Sequence, residues 1–271
     1  MNYIFSKTAL ITGAADGIGR ATALEFSKLG VNVILVGRNE AKLRKIASEC
    51  QEEFSKAISS VKHSAQLVQH GVKPEIFLLD VRDKARIFKE FSAFVKPRKI
   101  DILINNAGLA LGLESFEKGD LQDWEVMIDT NVKGVLYITR ALLEQMKRLP
   151  TAHIVNLGSV AGKTAYPNGN IYCVTKAAVR HLSEALNCDL FGSKVKVTTI
   201  APGAVETEFS KTRFNGDLQR AKATYEGYTP LYAQDIAEAI ISVVNTKPSV
   251  NIQYLDIMPT DQRNPYMVFR G

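Results

Sequence analysis

Tyr172 and Lys176 stand four positions apart in the stretch 159–176, which reads S-V-A-G-K-T-A-Y-P-N-G-N-I-Y-C-V-T-K. On an α-helix this spacing puts both side chains on one face. Ser159 lies thirteen residues before Tyr172 and follows the apolar run 153–158, which is typical of a buried strand. A strand end and a helix face can bring the three polar side chains to one point, where they could transfer a proton.

The pKa shift that Tyr172 needs in order to act as a base can be expressed as a free energy. A phenol has an ordinary pKa of about 10, so a Tyr that acts as a base near pH 7 needs a pKa lower by ~3, equivalent to ~4 kcal/mol. A Lys ammonium at ~5 Å in an effective dielectric of ~20 supplies roughly 3 kcal/mol. A second cation, such as an oxidised nicotinamide, could supply the remainder. The Y-x-x-x-K spacing also arises by chance as a surface pair, so its meaning depends on the rest of the chain.

Composition narrows the class of protein. The 271 residues are 46% apolar, which suits one large α/β domain or two small ones, and no window approaches the ~20 apolar residues of a membrane span. The first residues show no signal-peptide pattern. Three cysteines without a C-x-x-C pair indicate free thiols in a reducing compartment, so we expect a cytoplasmic protein. The four histidines lack metal-ligand spacing, and the charge of +6 favours anionic small ligands over nucleic acid.

A glycine-rich turn lies near the start of the chain. Residues 7–13 read as a short buried strand, T-G-A-A-D-G-I-G follows over 12–19, and residues 20–30 read as a helix that Gly30 ends. Strand, glycine turn and helix together predict a dinucleotide site. Its three glycines would allow the tight turn, the approach of a pyrophosphate and close helix packing, in the order Gly13, Gly17 and Gly19.

The second strand, 31–37, ends in Gly37-Arg38-Asn39. An acid at this place would bind a ribose 2′-hydroxyl, as in NAD sites, whereas Arg offers a planar fork that suits a 2′-phosphate. Arg38 therefore favours NADP as the cofactor. The alternative is that Arg38 only ends the strand in solvent.

Strands and helices alternate along the remainder of the chain. This pattern predicts an α/β protein with a single doubly wound Rossmann-type domain over residues 1–271, a parallel sheet and helices on both faces. The expected later strands are 75–81, 100–108, 153–158, 195–201 and 254–259, and the expected helices are 40–73, 84–96, 120–149 and 172–191. The second half of the first of these helices, 59–71, reads as a surface excursion.

The segment 207–230 interrupts the alternation and mixes aromatic residues with cations. Long insertions after the carboxyl end of a strand are where substrate lids occur in such folds. We therefore expect a substrate lid at about 207–230.

Taken together and in order, T-G-A-A-D-G-I-G, N-N-A-G, Ser159, Tyr172-x-x-x-Lys176 and Pro202-Gly203 resemble the short-chain dehydrogenases/reductases over about residues 7–260. The resemblance implies a catalytic set in which Tyr172 is the acid/base, Lys176 lowers its pKa and holds the nicotinamide ribose, Ser159 orients the substrate oxygen, and Asn131 positions a water. It also implies a set of cofactor-binding residues: Gly13, Ala15, Asp16, Gly17, Ile18, Gly19, Arg38, Asn39, Asp80, Val81, Asn106, Ala107, Gly108, Tyr172, Lys176, Pro202, Gly203, Val205 and Thr207.

A narrower likeness concerns the substrate. The segments N-N-A-G-L-A-L-G, T-E-F-S-K-T-R-F-N-G-D and D-I-M-P-T-D-Q resemble NADP-dependent 3-hydroxy acid dehydrogenases, which act on serine, allo-threonine and related acids. This likeness implies a small-molecule substrate that contacts Ser159, Tyr172 and Arg213, with the Arg213 guanidinium holding the carboxylate. The insertion near 55–72 departs from the pattern.

Two other functions remain open from the residues. One is an NADPH-dependent carbonyl or 3-oxoacyl reductase, although relatives that use a carrier protein tend to have Arg where this chain has Cys188. The other is an NADPH-sensing binding protein, although the complete set of polar site residues gives no sign of decay. The family resemblance further implies a homotetramer with two-fold symmetry, and we expect no nucleic-acid or membrane partner.

Overall fold

The computed structural model describes residues 2–60 and 71–271, and its centre is a seven-stranded parallel sheet with the strand order β3-β2-β1-β4-β5-β6-β9. The strands of the large sheet are β1 (Thr8–Thr12), β2 (Asn32–Gly37), β3 (Glu75–Leu78), β4 (Ile102–Asn105), β5 (Ala152–Leu157), β6 (Val195–Pro202) and β9 (Tyr254–Ile257). Two short strands, β7 (Val205–Glu206) and β8 (Leu231–Tyr232), pair separately. The predicted parallel sheet is confirmed.

The helices follow the predicted alternation. They are α1 (Gly17–Lys28), α2 (Glu40–Ser60), α3 (84–95), α4 (121–147), α5 (Asn170–Asp189), α6 (Glu208–Arg213), α7 (Leu218–Ala223) and α8 (Ala233–Val244). The predicted helix 40–73 is present as far as Ser60, and residues 61–70 of the surface excursion lie outside the described residues. In the described part of the chain, no helix combines the length and the apolar composition that crossing a membrane requires.

Each face of the sheet has its own apolar core. Phe26 of α1, Leu43 of α2 and Ile240 of α8 are fully buried on one face. Phe91 of α3 and Leu142 of α4 are fully buried on the other. Because both faces are covered, the strands can be almost continuously apolar, as their burial shows. The doubly wound arrangement is therefore confirmed.

The strand order reverses between β1 and β4, so a crevice opens at the carboxyl ends of these two strands. The chain enters α1 there, and the Asp16 carboxylate accepts a hydrogen bond from the Gly17 N–H at 3.1 Å, which caps the helix. The helix ends where the sequence predicts. Gly30 adopts a φ of +75°, and its N–H donates to the Ser27 carbonyl.

Two of the helices contain π-turns that the sequence does not reveal. The segment Ile87–Phe91 forms one within α3, and Asp129–Lys133 forms the other within α4. The predicted helices 84–96 and 120–149 are present, and each contains one of these π-turns. The second π-turn contains the buried Asn131, and π-turns are frequent at functional sites.

A chain of buried polar side chains joins the two central strands to two helices. The Asn105 amide donates to the Thr139 hydroxyl at 2.9 Å and to the Asn156 side-chain oxygen at 2.8 Å. The Asn156 amide donates in turn to the Ser183 hydroxyl at 2.8 Å. These bonds link β4, β5, α4 and α5, and the strand ends and helices so linked carry Ser159, Asn131 and the Tyr–Lys pair.

We predict that Asn156→Ala lowers the free energy of unfolding by ~2–4 kcal/mol, because it removes the two buried hydrogen bonds that Asn156 makes with Asn105 and Ser183. Urea unfolding midpoints of the variant and the parent protein test this. Asn251→Ala is the control, since this exposed amide donates to the Asn187 side-chain oxygen, and its midpoint should stay close to that of the parent. Equal midpoints for the two variants would show that the network contributes no more than a surface bond.

Candidate active site

A cleft of about 530 Å³ opens at the carboxyl ends of the strands. It is bordered by the glycine turn after β1, the loop after β4 and the loop after β6. The structure brings most of the predicted site residues together around it: Gly13, Ala15, Asp16, Gly17, Ile18, Arg38, Asn39, Asp80, Val81, Asn106, Ala107, Gly108, Ser159, Tyr172, Lys176, Pro202, Gly203, Val205 and Thr207. Gly19, Asn131 and Arg213 lie outside its lining.

The glycine turn fits tightly against the loop after β4. Gly13 has a φ of +64°, and a Cβ there would stand 2.9 Å from the Ala107 Cα. A Cβ on Gly19 would stand 2.6 Å from the Asn106 side-chain nitrogen. That nitrogen donates to the carbonyls of Thr12 at 2.9 Å and Gly13 at 3.1 Å, so Asn106 fastens the turn to β4. The resulting floor of backbone N–H groups at the start of α1 suits the pyrophosphate of a dinucleotide.

Two cations border the cleft beyond β2. The Arg38 guanidinium is 68% exposed and lies 3.9 Å from the Asp80 carboxylate. Lys42, on the first turn of α2, donates to the Asp16 carboxylate at 2.6 Å. The Arg82 guanidinium, through its hydrogen bonds, holds the pKa of the Asp80 carboxyl below its ordinary value. The sequence interpretation missed Lys42, although its place just after Gly37-Arg38-Asn39 could have indicated a second phosphate-binding cation.

Ser159, Tyr172 and Lys176 meet at the opposite end of the cleft. The Tyr172 side chain is buried, with its ring 5.7 Å from the ring of Phe209 on α6. The Lys176 ammonium lies 5.9 Å from the centre of the Tyr172 ring and donates to the Leu157 carbonyl at 2.8 Å. The Ser159 hydroxyl accepts from the Ala161 N–H at 3.1 Å and donates to the Pro202 carbonyl at 3.5 Å.

Burial dominates the titration of this pair. It raises the pKa of Tyr172 well above the ordinary value; Tyr166 adds to the rise, while Ser159 and Arg213 oppose it. Burial also lowers the pKa of Lys176 to about 8. The sequence arithmetic counted the charge of Lys176 and omitted the lost hydration of the phenol. The groups of the protein therefore keep Tyr172 in its neutral, proton-donating form, and its use as a base needs a further positive charge nearby.

Asn131 connects the loop after β4 to α5. Its side chain accepts from the Leu109 N–H at 2.8 Å and donates to the Leu109 carbonyl at 2.7 Å. It also donates to the Thr175 hydroxyl at 3.1 Å. A Cβ on Gly108 would stand 3.1 Å from the Asn131 oxygen and 3.6 Å from the Lys176 nitrogen. The absence of a side chain at 108 therefore leaves room for these two groups to lie close together.

Arg213, at the end of α6, lies against the catalytic candidates. Its guanidinium carbon is 5.7 Å from the centre of the Tyr172 ring and 5.6 Å from that of Tyr166. The guanidinium donates to the Tyr166 hydroxyl at 2.9 Å and to the Gly112 carbonyl at 3.1 Å. No sequence pattern singled out Tyr166, although it lies within the same short stretch as Ser159 and Tyr172. The arrangement places a cation beside a neutral phenol.

A family model described as short chain dehydrogenase matches residues 7–217. The NADP-dependent 3-hydroxy acid dehydrogenase YdfG of Salmonella typhi is 42% identical over 255 residues, covering 93% of this chain and 95% of that protein. Sulfoacetaldehyde reductase 2 of Chromohalobacter salexigens is 39% identical over 259 residues, covering 95% and 96%.

Two solved structures of serine dehydrogenases are also similar to this chain. The closed form of a serine dehydrogenase complexed with NADP+ superposes with a TM-score of 0.85 at 39% identity, covering 97% of this chain and 99% of that one. The serine dehydrogenase of Escherichia coli superposes with a TM-score of 0.75 at 36% identity, covering 94% and 99%.

Proposed function

The chain belongs to the short-chain dehydrogenases, and on that premise we propose that it transfers a hydride between NADP and a small 3-hydroxy acid of the serine, allo-threonine and 3-hydroxypropionate class. The observation that carries the proposal is the Arg213 guanidinium 5.7 Å from the Tyr172 ring. A 3-hydroxy acid has one carbon between its carboxylate and its reacting carbon, so such a molecule needs a cation close to the acid/base.

The names of two relatives, which point to different substrates, support an anion-binding role for Arg213. One is named for 3-hydroxy acids and the other for sulfoacetaldehyde. A 3-oxo acid and sulfoacetaldehyde both carry an anion one carbon away from a carbonyl carbon. Arg213 can bind a carboxylate or a sulfonate through two parallel hydrogen bonds. A 3-oxoacyl thioester lacks this anion, so the residues beside Tyr172 favour the acid over a carrier-bound substrate.

The residues of the cleft fit NADP. The turn at Gly13 and Gly17 would hold the pyrophosphate, Asp80 and Val81 the adenine, and Arg38 with Lys42 the 2′-phosphate. Bound NADP supplies or accepts the hydride. With these assignments, Arg38 is the residue that makes the site bind NADP in preference to NAD.

The residues around Tyr172 then have the remaining roles in the reaction. Tyr172 gives its hydroxyl proton to the substrate oxygen during reduction and takes it back during oxidation. Ser159 orients that oxygen, and the Lys176 ammonium holds the nicotinamide ribose. Arg213 fixes the anionic end, while Phe209 and Tyr166 limit the access of water. We also propose that residues 207–230 act as the substrate lid and that Asn131 positions a water.

We predict that Tyr172→Phe binds NADPH normally while its turnover falls by at least 10²–10⁴, roughly the share that general acid–base catalysis contributes. The variant retains the ring and loses only the proton carrier. Fluorescence titration with NADPH and turnover followed at 340 nm separate the two effects. Turnover close to that of the parent enzyme would refute the role of Tyr172.

Arg38→Ala should weaken NADP binding by ~1.5–3 kcal/mol, since it removes a hydrogen bond to a charged group. The dissociation constant of NAD, which lacks the 2′-phosphate, should barely change. Calorimetric titration of both cofactors tests this. Arg44→Ala is the control, because that exposed guanidinium is paired with Glu40 on the surface of α2. Equal losses for the two cofactors would remove Arg38 from phosphate recognition.

Arg213→Met should raise KM for 3-hydroxypropionate and serine at least tenfold, equivalent to ~1.4 kcal/mol, and should leave a neutral alcohol or ketone nearly unaffected. The matched control on the same segment is Arg220→Met, whose guanidinium lies over the Phe214 ring. Initial rates over a range of substrate concentrations distinguish the cases. If acidic and neutral substrates lose activity in the same proportion, Arg213 orders the segment and does not bind the anion.

We further propose a cytoplasmic homotetramer with two-fold axes, because the family resemblance implies pairing through α4 and α5 and closed symmetry is the common solution. Light scattering at micromolar concentration should give a mass about four times that of the 29.9 kDa chain. A monomer mass would contradict the proposal.

A further inference from the structure

Asp80 is an acidic side chain close to the proposed site of the 2′-phosphate. Strands β2 and β3 pair side by side, with Gly37 opposite Leu78, so Arg38 and Asp80 follow neighbouring strand ends. The Arg38 Nη1 atom lies 3.9 Å from the Asp80 Oδ2 atom. The Arg38 side chain is largely exposed, so packing does not prevent it from moving closer to this carboxylate.

A carboxylate at this place opposes the binding of NADP in two ways. If it bonded to Arg38, it would occupy the guanidinium that has to bind the 2′-phosphate. Its negative charge would also repel that phosphate directly. NAD has a hydroxyl group at the same ribose position, so neither effect would oppose NAD. A preference for NADP therefore requires that a group other than Arg38 neutralise Asp80.

Arg82, two residues after Asp80, is such a group. Its guanidinium donates from Nε to the Asp80 Oδ1 atom at 3.0 Å and from Nη2 to the Oδ2 atom at 2.6 Å. Two parallel bonds of this kind are the strong form of an Arg–carboxylate pair. The backbone N–H of Arg82 donates to the same Oδ1 atom at 3.0 Å. Arg82 itself lies outside the lining of the cleft, whereas Asp80 is part of that lining.

We propose that Arg82 is a positioning residue for the choice of cofactor: by holding both carboxylate oxygens of Asp80, it keeps Arg38 available for the 2′-phosphate of NADP. This inference rests on the proposed role of Arg38. It adds that the preference for NADP depends on three side chains together, because Arg82 compensates an acid that would otherwise favour NAD.

A simpler role for Arg82 would be to shape the turn that follows β3. In this turn the Asp83 N–H donates to the Asp80 carbonyl at 2.9 Å, and the Arg82 N–H donates to the Asp80 carboxylate. Both donors belong to the backbone, so they remain when the side chain of Arg82 is replaced. A residue that only shaped the turn would alter the adenine pocket and weaken NADP and NAD alike. The proposed role weakens NADP alone.

The test is calorimetric titration of the full chain with NADP and with NAD. Arg82→Met should raise the dissociation constant of NADP about fivefold, the scale of one partly exposed ion pair, and should leave that of NAD nearly unchanged. Arg86→Met is the matched control. It removes the same charge four residues further on, from a guanidinium paired with Glu90, and should change neither constant. Arg82→Gln provides the same comparison if Arg82→Met fails to fold.

A double variant shows whether Arg82 acts through Asp80. When Asp80→Asn is present there is no carboxylate for Arg82 to hold, so adding Arg82→Met should leave the ratio of the two dissociation constants unchanged. If the ratio still shifts, Arg82 attracts the phosphate directly and the proposal is overturned.

The proposal is also overturned if Arg82→Met weakens both cofactors equally, if it leaves NADP binding unchanged, or if Arg86→Met has the same effect. Arg38→Ala keeps the premise separate from the inference. If that variant loses the preference for NADP and Arg82→Met retains it, the inference about Arg82 alone fails. If Arg38→Ala retains the preference, the proposed role of Arg38 fails and this inference fails with it.

Discussion

The burial of Tyr172 and Lys176 is the constraint on which the site depends. A buried ammonium must have hydrogen-bond acceptors, and the Leu157 carbonyl at the end of β5 provides one at 2.8 Å. That carbonyl is held in place because the Asn105–Asn156–Ser183 bonds fix β4 and β5 against the two helices. The folded core thus maintains a lysine with a lowered pKa beside a phenol with a raised one.

Such a pair is suited to a reaction in which a positive charge forms and disappears close to the phenol. A neutral phenol already carries the proton that it donates. A nearby positive charge lowers the pKa of the phenol and so favours its action as a base in the opposite direction. Arg213 acts in the same direction, because its charge lowers the pKa of Tyr172 while its hydrogen bonds to Tyr166 and Gly112 keep it close to the ring. One cation can therefore bind the anionic end of a substrate and adjust the acid/base next to it.

The alternation of strands and helices and the dinucleotide turn could be predicted because their signals are local: apolar runs, the glycine turn and the Gly30 helix end each lie within a few residues. The π-turn at Asn131 has no such signal, since it depends on bonds to Leu109 and Thr175 from distant elements. The same holds for Tyr166, which acts through its bond to Arg213 and through its effect on the pKa of Tyr172. The raised pKa of Tyr172 was missed for a different reason, because hydration lost on folding cannot be seen in residue spacing.

Transfer of a hydride from the C3 carbon of a small 3-hydroxy acid to NADP can be followed with an isotope. The enzyme is mixed with NADP and 3-hydroxypropionate carrying deuterium at C3, and the mass of the reduced cofactor is then determined. We expect deuterium in NADPH and a slower reaction than with the unlabelled acid. Reduced cofactor without deuterium, or no reduction with this acid, serine or allo-threonine, would contradict it.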